Sequence, residues 1–150
     1  EVVRLHAVYF SYQPANVEFV RINDRQAFAR YVPSGSPITN HRIQMDAAKP
    51  NFVNNADLAV SGALHEAMHA YDNELINAYL TGALPESDPR YAQAELLTLN
   101  RLFYTALAEN KSNEKTYDGQ PFELTASIWE GFIAGELRKL VDTQTGSSSQ

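Results

Sequence analysis

Ser61 to Glu74 reads SGALHEAMHAYDNE, and two of the chain's four histidines stand in it four residues apart. On a helix, positions i and i+4 lie one above the other, so the imidazoles of His65 and His69 can converge on one point. The helix itself is legible around them. From Ala56 to Leu80, Leu64, Met68, Tyr71, Leu75 and Tyr79 recur at spacings of three and four, which predicts a core-facing stripe. His65, His69 and Asp72 occupy the stripe beside it.

The pattern His65-Glu66-Ala67-Met68-His69 is HExxH. On a helix it offers two imidazole ligands to zinc, and its glutamate reaches a metal-bound water instead of the metal. Zinc brings the pKa of that water to about 7, where a carboxylate can take its proton during attack on a carbonyl. Ala67, Met68 and Ala70 make the segment a buried, small-residue helix, in which two histidines beside a glutamate are costly without a shared partner. An exposed helix with ordinary solvated His and Glu is the bland reading.

A catalytic zinc usually has three protein ligands plus water. His69 is the last histidine of the chain, so the third ligand is expected to be acidic. Glu123, in PFELTASIWEGF, is the first choice: it heads a helix, with Ser127 and Glu130 further along the same stripe. Glu95, Glu109 and Glu114 are the alternatives, and a carboxylate in the first turn also suits the helix dipole without any metal. Asp72 either accepts the free ring N–H of a ligand histidine or is a solvated helix charge. A tyrosine near such a metal can serve as an oxyanion donor, and the chain has eight tyrosines, any of which is as readily a packing residue.

With 150 residues, 44% hydrophobic and 20% charged, the chain can bury a core and is short for two domains. One domain over 1–141 is expected, and TQTGSSSQ, within 142–150, reads as a disordered tail. A net charge of -6 argues against a nucleic-acid footprint or an electrostatic membrane anchor. No apolar run approaches the roughly 20 residues of a membrane span. Without cysteine there are neither disulfides nor thiolate ligands. The missing initiator Met suggests a mature form or a domain cut from a larger protein.

Upstream, Val2 to Phe10 and Val17 to Ile22 read as a β-hairpin about Gln13-Pro14-Ala15-Asn16. Asn23-Asp24 would cap a short helix through Tyr31. Ile38 to Met45 alternates like a half-exposed edge strand, with His41 on its surface, and such an edge can pair with an extended peptide. Downstream, Asp88-Pro89 announces a helix to about Glu109 with Leu96, Leu99, Leu102, Phe103 and Ala106 inward. A last helix starts near Pro121 and carries Phe122, Ala126, Trp129, Ile133, Leu137 and Leu140 inward.

HEAMHAYDNE followed by PFELTASIWE resembles the gluzincin branch of zinc peptidases, in which a glutamate on a later helix completes HExxH. HAYD after the motif is similar to the toxin-like zincins, among them anthrax lethal factor and secreted bacterial effectors. The chain also resembles the C-terminal metallopeptidase extension of type VI secretion spike proteins of the VgrG class. The resemblance implies His65, His69 and Glu123 as ligands of a single zinc ion, Glu66 as general base and Tyr117 placed like the tyrosine of some relatives. Ser127 stands where many of them carry an acid. It further implies a secreted effector acting in a target-cell periplasm, with the rest of a spike protein and a cognate immunity protein as partners.

The expected whole is a minimal α+β zincin: a small N-terminal sheet laid on an active-site helix, with two further helices. It would cleave a peptide bond in a protein or peptide substrate. Amide hydrolysis in cell-wall peptide stems is the second enzymatic reading, and a binding or targeting module with structural zinc is the non-enzymatic one.

Overall fold

A computed structural model describes residues 1–23, 27–33, 41–103 and 119–146. The architecture is α+β, with a small mixed sheet on one side of a long central helix and further helices on the other. Elements run in the order α1 (Val2–Phe10), β1 (Asn16–Phe19), β2 (Ala29–Val32), β3 (Arg42–Met45), α2 (Pro50–Val53), α3 (Ala56–Leu80), α4 (Tyr91–Phe103) and α5 (Pro121–Gly146). Among the described residues, no helix is long and apolar enough to cross a membrane.

The central helix α3 is as its periodicity predicts. Asn55 caps it, its side-chain oxygen accepting from the Leu58 N–H at 3.0 Å. Leu64, Met68, Tyr71 and Leu75 are buried. The last three join Ile76, Leu84, Ala94, Leu97, Phe122 and Ala126 in one core cluster, which holds α4 and α5 against α3. The opposite flank carries Ala63, Ala67 and Ala70, whose small side chains let the sheet approach closely, with Ile43 and Met45 of β3 packed on them.

The N-terminus is not a hairpin strand. Val2–Phe10 is helical because Val3, His6 and Ala7 are buried at three- and four-residue spacing, and this stripe outweighs the β-preference of adjacent valines. The helix ends in a Schellman closure: Ser11 takes φ 56°, Tyr12 N–H donates to Ala7 O at 3.0 Å and Ser11 N–H to Val8 O at 3.3 Å. That closure delivers the Tyr12 hydroxyl to Ala67 O, to which it donates at 2.9 Å. His6 Nδ1 donates in turn to the Tyr12 oxygen at 2.8 Å. Helix α1 is thus tied to α3 at a residue inside HEAMH.

The sheet differs from expectation in two further ways. Its order is β1-β3-β2, with β1 parallel and β2 antiparallel to β3, so β3 is the central strand and not an edge. Val17 and Tyr31 both stand opposite Ile43. His41, just before β3, is buried and not a surface residue; its Nε2–H donates to Gln13 O at 3.0 Å. The expected helix reaching Tyr31 is replaced by β2 over Ala29–Val32. The edge beside α3 is therefore β2.

Helix α4 buries Ala94 and Leu97. Leu96, Leu99, Leu102 and Phe103, expected inward, are exposed; the helix is leucine-rich on two faces, and the narrower one carrying Ala94 fits against α3. Ala106 and Glu109 lie outside the described residues. Helix α5 begins where expected. Its Phe122 N–H donates to Asn100 Oδ1 at 3.0 Å, so a side chain of α4 satisfies an orphan amide at the start of α5. It continues to Gly146, past residue 142 where a tail was expected to begin.

Candidate metal centre

Helices α3 and α5 bring His65, His69 and Glu123 together, and the group can hold a metal ion, its ligand atoms all within 4.8 Å of one another. His65 Nε2 lies 3.2 Å from Glu123 Oε2 and 3.2 Å from His69 Nε2. His69 Nε2 lies 3.7 Å from Glu123 Oε1. The two carboxylate distances run to different oxygens of Glu123, and the three side chains lie close enough for each to offer one donor to a single ion. The donor set of two imidazoles and a carboxylate suits a divalent transition metal.

Glu123 is 1% exposed in the first turn of α5, which places its carboxylate directly over the two histidines of α3. Of the acids considered from the sequence, Glu123 is the one grouped with the two histidines among the described residues. Glu95 is exposed on α4 and bonds to Tyr79, away from the cluster. Glu109, Glu114 and Tyr117 lie outside the described residues.

A further acid completes the group. Glu130, two turns along α5, accepts from His65 Nδ1 at 3.2 Å and from the hydroxyl of Ser61. This bond turns His65 Nε2 toward Glu123 and His69, the service that an outer carboxylate gives a ligand imidazole. Ser127, one turn after Glu123, is exposed, and the acid that bonds to His65 stands one turn further on at Glu130. The signal was present in the shared stripe of Glu123 and Glu130; the partner, on another helix, was not.

Glu66 stands outside the cluster and lines the adjoining cleft. That cleft, of about 260 Å³, lies between α3 and β2 and is bounded by Phe28, Ala29, Leu58, Gly62, His65 and Glu66 among others. Gly62 keeps it closely walled: a Cβ there would fall 2.6 Å from Phe28 Cζ, so the ring can lie against the helix only at glycine. The Glu66 carboxylate accepts the Tyr31 backbone N–H of β2. Burial pushes its pKa up, against the opposing pull of the two histidines. A carboxyl raised in this way is a better proton acceptor near neutrality than a solvated one.

His65 carries the opposite perturbation. Burial disfavours its charged form, but the carboxylates of Glu123 and Glu130 overcome this and hold its pKa up at about 10. Glu130 is held below the usual range, its bonds to His65 and Ser61 prevailing over burial. The metal-free centre is therefore an imidazolium between carboxylates. A metal requires the neutral ring, so binding below about pH 10 should release the His65 proton. Affinity should rise about tenfold per pH unit across that window, with the proton appearing in calorimetry as a heat that depends on the buffer. Binding heats identical in buffers of different ionisation enthalpy would contradict it.

Asp72 is completely buried, which removes the solvated reading. Among the described residues, neither of its carboxyl oxygens has a hydrogen-bond partner, and burial drives its pKa well up. No family model, curated protein or solved structure matches the chain.

Proposed function

We propose that the protein is a zinc-dependent metallopeptidase with a minimal zincin-like fold. The observation that carries this reading is the convergence of His65, His69 and Glu123 within reach of one ion, with Glu66 next to His65 in sequence and facing a cleft. Zinc, when bound, supplies a Lewis acid that polarises a carbonyl and brings water's pKa near neutrality. The chain's own residues supply the rest. Glu66, desolvated and held by Tyr31 N–H, takes the proton of the attacking water and returns it to the leaving amine. Glu130 and Ser61 keep the His65 ring in register.

A peptide substrate is favoured over other amides by the position of β2. This strand is the sheet edge next to α3, and the cleft wall at Ala27, Phe28 and Ala29 runs along it. An extended peptide laid there can add main-chain bonds to the edge while its scissile carbonyl reaches the histidines. The setting we propose, on the resemblance to toxin-like zincins, is a secreted effector domain. The test is a reconstitution: protein carrying one zinc equivalent should cleave an unfolded protein substrate, lose activity to a chelator and regain it with added zinc. Full zinc occupancy with no amide hydrolysis, in unfolded protein or in cell-wall stem peptides, would overturn the enzymatic reading.

A further inference from the structure

Among the described residues, two buried polar groups on α3 stand without partners one turn apart: neither His69 Nδ1 nor Asp72 Oδ1 and Oδ2 has a described hydrogen-bond partner. Residues three apart on a helix share a side of it, so the orphan ring nitrogen and the orphan carboxyl belong to one neighbourhood. They are complementary. A histidine that offers Nε2 to a metal carries its proton on Nδ1, which makes that atom a donor, and a carboxyl group, protonated or not, keeps an oxygen that accepts. Asp72 is completely buried, and Tyr12, Tyr71 and the ligand candidate His65 interact with it electrostatically.

A fully buried carboxyl without a bond is an expensive residue to keep, and an apolar side chain of similar size would suit that position better if folding were its only task. Glu130 already serves His65. No described group serves His69.

Resting on the zinc reading above, we propose that Asp72 is the positioning residue for His69, accepting its Nδ1–H in the metal-loaded centre and so fixing the tautomer and angle of that ring. The carboxyl is unsatisfied only until the metal sets the ring. Its cost is carried by the metal-free fold and relieved on loading.

The proposal separates two readouts that an ordinary packing role would move together. Asp72→Leu removes the orphan carboxyl and the acceptor at once. Zinc affinity, measured by chelator competition, should fall about 10- to 100-fold, while the thermal midpoint of the metal-free protein stays level or rises. Asp72→Asn keeps an acceptor oxygen and should hold affinity within about threefold of the parent. Unchanged zinc affinity in Asp72→Leu would overturn the proposal, as would equal weakening in both variants with a lowered midpoint. Should Asp72→Leu not fold, the His69 Nδ1–H proton resonance of the zinc-loaded parent decides: a low-field position that moves upfield in Asp72→Asn supports the bond, and no movement refutes it. Failure of the zinc reading itself would look different, because the parent protein would then bind no stoichiometric zinc.

Discussion

Replacing His65, His69 or Glu123 by alanine should abolish stoichiometric zinc binding. Each residue contributes one donor to a group of three, and no donor of the group is redundant with another. Dividing the roughly 10–16 kcal/mol of a four-ligand zinc site among its ligands gives about 2.5–4 kcal/mol apiece, which is about two to three orders of magnitude in affinity. The side effects on the fold differ among the three. His65→Ala leaves Glu123 and Glu130, both within 3.2 Å of the lost ring, without their shared cation, so like charges face a partly buried space. Glu123→Gln is the milder probe, since it keeps shape and removes the charge. The check is metal analysis after dialysis against a competing chelator, and a full zinc equivalent retained by any of the three alanine variants would contradict the assignment.

The parts of this site that could be read from sequence are those fixed within a single helix. HEAMH determines its own geometry, because i and i+4 share a face whatever packs on it. The stripe of α3 and the start of α5 at Pro121 follow from local periodicity in the same way. What could not be read was decided between elements. Val2–Phe10 has strand-like residues and becomes a helix because its stripe docks on α3. The alternation in Arg42–Met45 fits an edge or a centre equally, and the parallel pairing with β1 settles it. Helix α4 offers apolar residues on two faces, and only contact with α3 selects Ala94 and Leu97. Glu130 shows the same division: its place on the stripe of Glu123 was visible, but its bond to His65 exists because α5 crosses α3 at that height.

The second large effect is expected at Glu66. Glu66→Gln should leave zinc content near one equivalent and remove hydrolysis, by about two to four orders of magnitude. The structure gives reasons for both halves. Glu66 is not a member of the metal-holding group, so the donors are untouched. The amide oxygen of glutamine can accept the same Tyr31 N–H that now holds the carboxylate, so the side chain keeps its place against β2. Burial already penalises the charged form of Glu66, and a neutral amide avoids that penalty, which predicts a variant at least as stable as the parent. What glutamine cannot do is accept a proton. Loss of activity in a folded, fully loaded protein therefore isolates proton transfer from metal binding and from stability, and undiminished turnover at equal zinc content would assign the base to another residue. Glu130 would be the first to test in that case, since it lines the same cleft beside His65.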